Sequence, residues 1–269
     1  MKILIISFIL SSSIWACEFH KDYKKIYSLS GVSTQIIKEL GLISSPRLQG
    51  ISVFHPVNEK EFKGKFLGGG QFISFAEMDK WNSGLVLYDE SRELHKILSR
   101  KKDLKALEIK TRGKTPTEVI SAFIEETKHV FHQCDLEKLK TDFSKKITEL
   151  KSVIPKKMKL IIYLGEITKY KYPEIIMVND GVVRFLSHEK LIQTYPSELA
   201  YPNWSAKIMN SLDKDFIKLG IIDSGNKLTK KLEKVSEKNY NLTYPGAMIP
   251  GIGQVEALFY FFSRLDDLL

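Results

Sequence analysis

The sequence predicts an α/β fold: two Rossmann-like lobes joined by a long interlobe α-helix, with a ligand cleft between the lobes. Three observations lead there. Residues 115–155 carry one apolar stripe at helical spacing. On each side of that stretch, short apolar strand-like runs alternate with amphipathic helical ones, and the runs close on Gly, Ser or Pro turns. Such alternation builds a parallel sheet with helices on both faces. The predicted organisation is an export leader at 1–17, a first lobe at 18–114, a helical connector at 115–155 and a second lobe at 156–269.

The bulk properties suit that reading. At 269 residues the chain is long enough for two lobes, and its 43% hydrophobic and 27% charged content is that of a globular protein. The net charge of +9 is dispersed. Its short runs (Arg100-Lys101-Lys102, Lys156-Lys157, Lys230-Lys231) are flanked by acids or apolar residues and lack interleaved aromatics. That pattern excludes a nucleic-acid face and leaves a solvated basic surface.

At the start, Lys2 precedes an apolar run, Ile3 to Leu10, too brief to span a bilayer, and small residues follow up to Cys17. This is the arrangement of an export signal, which places the protein in the periplasm or cell envelope. Ile14-Trp15-Ala16-Cys17 resembles a bacterial lipobox, which implies lipidation of Cys17 and a membrane anchor. If Cys17 keeps its thiol, a disulfide with Cys134 is the open alternative in an oxidising compartment. If Cys17 carries lipid, Cys134 is a lone packed thiol.

Through the first lobe, Lys25–Leu29 reads as a strand, Ser28–Gly31 as a turn, and Val32–Leu40 as a helix ending at Gly41. Leu48–Phe54 is a strand running into His55-Pro56. Phe66-Leu67 leads into Gly68-Gly69-Gly70. A helix at Phe75–Trp81, a buried strand at Leu85–Tyr88, a helix at Leu94–Leu98 and a strand at Ala106–Ile109 complete the lobe. In such sheets ligands sit at the carboxyl ends of strands. This nominates Ser28, Ser30, His55, Gln71 and Tyr88 as cleft-facing. The glycine triplet lacks both the Lys-Ser/Thr of a nucleotide loop and GxGxxG spacing.

The connector stripe runs Val119, Ile120, Phe123, Ile124, Val130, Phe131, then Leu136, Leu139, Phe143, Ile147, Leu150 and Val153. Thr115-Pro116-Thr117-Glu118 is a start signal with a capping box, and Pro155 a stop. A pair of helices broken near Cys134-Asp135 is the alternative to a single stiff rod. His129 and His132, three apart, have no carboxylate partner in view and read as surface or core filler rather than a metal site.

In the second lobe, Met158–Gly165 is a strong strand. Glu174–Val178 and Val182–Phe185 read as strands paired through Asn179-Asp180-Gly181. Ser187–Gln193 reads as helix. Tyr195 to Trp204 is an aromatic, proline-containing loop, followed by a short helix at Ser205–Leu212. Phe216–Ile222 is a strand ending at Asp223-Ser224-Gly225, Leu228–Val235 a helix, and Gln254–Leu269 a last amphipathic helix. Tyr195, Tyr201 and Trp204 supply aromatic faces for a flat ligand, while Arg184 and His188 can meet a carboxylate or a metal-bound group. No nucleophile elbow or HExxH is present.

The stretch Lys25-Ile-Tyr-Ser-Leu-Ser-Gly-Val-Ser-Thr-Gln-Ile-Ile-Lys-Glu-Leu-Gly-Leu42 resembles the opening of the cobalamin- and siderophore-binding proteins of ABC importers. Gly68-Gly69 with Phe75-Ala76-Glu77, Leu85-Val86-Leu87, the helix from Thr115 and the Tyr244-Pro245-Gly246 turn before the last helix are similar to that family in order. Gly31 stands for its usual proline, Asn82-Ser83-Gly84 for Lys-Pro-Asp, and Ala247-Met248 where an arginine is often found. The resemblance implies a monomeric exported solute-binding lipoprotein. It would capture a metal chelate of cobalamin or iron–siderophore type and hand it to an ABC permease, with no catalytic residues and no resident metal or cofactor. It implies permease docking through Glu77 on the first lobe; on the second, Lys207 stands about where the acid belongs and Glu198 is the nearest substitute. Two rivals stand beside it: an exported α/β enzyme using His55 with Asp89 or Glu90, and a scaffold lipoprotein that has lost transport.

Overall fold

The computed structural model of the chain describes residues 17–52, 57–67, 75–81, 83–90, 92–112, 114–156, 158–169, 173, 175–176, 181–188, 192–194 and 216–265. The chain enters through a two-residue strand, β1 (Glu18–Phe19), and then builds a five-stranded sheet. Its strands are β2 (Ile26–Ser28), β3 (Leu48–Ser52), β4 (Lys65–Leu67), β5 (Gly84–Asp89) and β6 (Leu104–Ile109), ordered β4-β3-β2-β5-β6 and parallel throughout. Helices α1 (Gly31–Glu39), α2 (Phe75–Asp79) and α3 (Arg92–Leu98) connect them. The predicted alternation of strand and helix holds across this half.

Local chemistry explains α1. Ser30 caps it by accepting the Ser33 N–H at 3.1 Å; Val32, Ile36 and Ile37 bury one stripe; Gly41, at φ +75°, turns the chain away. The opposite face of the sheet packs Tyr27 flat on Trp81, ring centroids 4.0 Å apart, with Leu29, Met78, Val86 and Tyr88 around them.

Between the sheets the chain runs through α4 (Pro116–Thr127), a short strand β7 (Phe131–His132) and α5 (Leu136–Val153). The connection is therefore two helices, of which α5 is the longer at 18 residues. The Thr115–Glu118 capping box forms as expected. The break comes because residues 128–135 take up other bonds. β7 pairs antiparallel with β1, Gln133 turns at φ +57°, and Asp135 caps α5 by accepting the Lys138 N–H at 2.7 Å. The apolar stripe survives the break because both helices face one core.

The second sheet holds β8 (Met158–Leu164), β9 (Ile175–Ile176), β10 (Ile192–Thr194), β11 (Ile217–Asp223), β12 (Lys231–Ser236) and β13 (Asn239–Tyr244), in the order β10-β8-β11-β13-β12 with β9 also on β8. β10, β8, β11 and β13 run parallel, while β9 and β12 are antiparallel to their partners. Helix α6 (Gly181–His188) and a final helix, α7 (Ile252–Leu265), pack with it.

Three expectations fail here. Val182–Phe185 belongs to α6, not to a hairpin: Val182, Val183, Phe185 and Leu186 are buried at helical spacing, a pattern the Asn-Asp-Gly turn signal masked. Residues 192–194 form an edge strand where helix was expected. Leu228–Val235 is mostly strand, because Lys231–Ser236 pairs antiparallel with β13, with a bulge between Lys234 and Ser236. The bulge places Leu232 and Val235, three apart, at the half-buried positions, and this imitates a helical step.

One continuous apolar cluster joins the halves, from Ile26 and Ile37 through Phe123, Leu139 and Leu150 to Ile162, Leu219 and Phe261. Lys146 of α5 adds a polar tie, reaching Glu256 of α7 at 2.6 Å and Glu39 of α1 at 3.5 Å.

Candidate functional site

The carboxyl ends of both sheets come together where α1 begins. β5 ends in Asp89, whose Oδ2 accepts the Gly31 N–H at 3.3 Å and whose carboxylate also takes a hydrogen bond from Ser30. β11 ends in Asp223. Its Oδ1 accepts the Gly225 N–H at 2.8 Å and the Gly246 N–H at 3.0 Å, and its Oδ2 accepts the Met248 N–H at 3.3 Å. Asp223 therefore shapes the turn after β13, and that turn carries buried Ile249 onto α1. A Cβ on Gly31 would lie 3.1 Å from Ile249 Cγ1, so the proline usual in the resembled family does not fit here without movement of Ile249. Gln35 Oε1 then accepts the Gly253 N–H at 3.0 Å, stitching the middle of α1 to the start of α7. The result is a seam at the strand ends, the place where parallel α/β sheets receive ligands.

The seam explains several of the nominated residues differently. Ser28 and Ser30 are fully buried. The Ser28 hydroxyl lies 2.6 Å from Thr34 Oγ1 and donates to Ser33 Oγ at 3.1 Å, while Ser30 caps α1. Both therefore secure the β2–α1 junction instead of facing a solute. Tyr88 is also corrected. It alternates inward with Val86, is 2% exposed, and its hydroxyl sits 2.9 Å from His95 Nδ1. Arg184 and His188 fall on α6, with side chains outside those described. His55, Gln71, Tyr195, Glu198, Tyr201 and Trp204 lie outside the described residues, so the aromatic loop does too.

Glu77 is on α2, held by Lys65 at 2.7 Å and Lys80 at 3.1 Å. Hydrogen bonds from these lysines, Lys65 first, keep its carboxyl below the ordinary carboxylate range. The acids of the enzyme reading are likewise engaged with backbone: Asp89 with Gly31, and Glu90 by accepting the Arg112 N–H at 2.9 Å. Asp223, Gln35 and the role of Asp89 in holding α1 were missed from the sequence. Asp-Ser-Gly after a buried strand was the available signal, since an Asp there accepts the backbone N–H two residues on.

Cys17 is corrected as well. Its sulfur is bonded to Cys134, 117 residues on, and the same sulfur cannot also carry a lipid thioether. The disulfide, the β1–β7 pairing and the stacked rings of Phe19 and Phe131 strap the segment to the connector, and a 2.6 Å bond from Arg47 Nη1 to the Phe19 carbonyl ties it to the start of β3.

Asp89 carries an electrostatic signature. Burial, the largest cause, pushes its carboxyl up to about 6, although the bonds from Ser30 and Gly31 oppose the rise; Oδ1 is buried and has no hydrogen-bond partner among the described residues. A carboxyl raised in the fold is easier to keep protonated there than in the unfolded chain. The cost of its charge is thus absent below about pH 4 and fully present above about pH 6. Asp89→Asn, which keeps the shape without the charge, is expected to stabilise the protein at pH 8 by about 2–3 kcal/mol and to be nearly neutral at pH 4. Urea titrations at the two pH values check this; an equal effect at both would remove the electrostatic account.

No family model matches the sequence, and no curated protein matches it either. Solved structures do match in fold. The periplasmic vitamin B12 binding protein of Vibrio cholerae aligns at TM-score 0.62 and 14% identity, over 92% of this chain and 99% of that one. The periplasmic heme binding protein of the same organism gives 0.59 and 16%, over 91% and 98%. An ABC transporter substrate-binding protein of Listeria monocytogenes gives 0.57 and 15%, over 89% and 98%. At these identities the likeness shows the fold: that of two-lobed periplasmic binding proteins.

Proposed function

We propose that this chain is an exported solute-binding protein of an ABC importer, capturing a metal chelate of corrinoid, haem or iron–siderophore type. The observation that carries the reading is the seam: a parallel sheet and a mostly parallel one presenting the carboxyl ends of their parallel strands to one place, in a fold that aligns with periplasmic chelate binders over nine-tenths of the chain. The disulfide supports export, because such bonds persist in oxidising compartments. The protein acts as a monomer, in this reading, and meets its permease through the face that carries Glu77. A permease arginine must displace Lys65 or Lys80 to reach that carboxylate. The continuous core across α1, α5 and α7 supports a small closure on binding, since packed helices bend less readily than loose hinge strands.

The test is a screen of the purified protein against cyanocobalamin, haemin and ferric siderophores by tryptophan quenching. Saturation by one of them below roughly 10 μM, about 7 kcal/mol of binding, is the expected result. Failure of every chelate to saturate overturns the reading.

A further inference from the structure

Away from the seam, the connector and the last helix enclose a second concavity. A cavity of about 370 Å³ lies between α5, α7 and the β12–β13 edge, and Lys146, Glu149, Lys230, Tyr244, Phe259 and Arg264 are among its walls. None of Gly31, Asp89, Asp223 or Ile249 lines it. Its size is at the small end for organic ligands, which occupy about 300–1,000 Å³.

Its charges are arranged unevenly. Lys146 is neutralised by Glu256 and Glu39. Lys230 instead lies 4.8 Å from the centroid of the Tyr244 ring, and the Arg264 guanidinium 3.9 Å from that of Tyr260. Those two rings are 5.5 Å apart, so the cations flank one aromatic floor. Among the described residues neither cation has an acid at ion-pair distance. A ring face orients a cation without neutralising it, and the N–H groups not turned to the ring remain able to donate. Three cations and two acids line the cavity, and Glu39, which reaches Lys146 from outside it, balances the total, so what favours an anion is the placement of Lys230 and Arg264 on the ring faces and not a net charge. Burial also pushes the Tyr244 hydroxyl up to about 12, so it is a proton donor at neutral pH.

We propose that this pocket is a second binding site, for a small organic anion with a flat apolar body. Its acid group is received between Lys230 and Arg264, and its body lies against Phe259 and Val255. The site is separate from the chelate seam, and does not depend on what the seam binds.

The probe is 8-anilinonaphthalene-1-sulfonate, an aromatic sulfonate that fluoresces on leaving water, with uncharged N-phenyl-1-naphthylamine as its control. One saturable sulfonate site is expected in the purified full chain. Lys230→Ala with Arg264→Ala is expected to weaken it roughly tenfold or more, while the uncharged control changes little. Glu149→Gln, an exposed substitution that removes the opposing charge, is expected to tighten it by about threefold. Thermal melts establish that each variant is folded. If the double variant does not fold, Glu149→Gln decides alone. Absence of a saturable site, or saturable binding unmoved by the substitutions that fold, overturns the proposal, since the probe then sits elsewhere.

Discussion

Opening the Cys17–Cys134 bond is expected to cost this protein more stability than any other single change proposed for it. The bond closes a loop of 117 residues that contains the whole first sheet. Without it the unfolded chain regains the freedom that the loop had removed, worth about 5 kcal/mol in the chain-entropy model. The folded state loses less, because β1 is still paired with β7 and Phe19 remains packed on Phe131. Cys134→Ser, or a thiol reductant on the native chain, should therefore lower the unfolding midpoint by about 10 °C or more while leaving the far-ultraviolet spectrum unchanged. Equal midpoints for the oxidised and reduced chains would contradict this. Mass measurement of the purified protein gives an independent check: reduction followed by alkylation should label two thiols, and a lipid on Cys17 would leave one.

Asp223→Ala is expected to be the most damaging substitution at the seam. It strands the N–H groups of Gly225, Gly246 and Met248, which converge on one carboxylate. Donors left without acceptors cost about 1–3 kcal/mol each when buried, and this turn is partly exposed, so a total of about 2–4 kcal/mol is reasonable. The turn also carries Ile249 against Gly31, so under the proposed function any chelate affinity should fall with stability. Asp223→Asn keeps an acceptor for Gly225 and Gly246 but presents an amide NH₂ toward Met248 N–H, and should fall between. Denaturant titration of the three proteins tests the order. Wild-type stability in the alanine variant would show that the turn holds without Asp223.

The first half of the fold was legible because its signals are local. The Ile36-Ile37 stripe and the Gly41 stop of α1 lie within a few residues of each other, and each reports its own geometry, whereas Ser30 was read as a turn residue facing the cleft and its capping role came only from the structure. The second half was less legible where a local signal and a tertiary contact disagreed. Asn179-Asp180-Gly181 looks like a hairpin turn, yet Val182, Val183, Phe185 and Leu186 bury as one helical face. The bulge at Val235 made an edge strand resemble a helix. The site was less legible still. Ser28, Ser30 and Tyr88 were correctly placed at or near strand ends, but their neighbours took up their hydroxyls. A sequence shows that a hydroxyl is present without showing what stands opposite it.

By itself, then, the chain's order of apolar runs and breakers determined the parallel first sheet, the central strands β8 and β11 of the mixed second one, the helices α1 and α7, the helical character of the connector, and the capping box at Thr115. Periodicity and capping act over a few residues, so they can be read along one line of sequence. Only the tertiary structure decided that Cys17 pairs with Cys134, that Asp89 and Asp223 hold the two sides of a seam, and that Lys230 and Arg264 lie on neighbouring rings. Those arrangements join residues tens to more than a hundred positions apart, and their partners are chosen by packing.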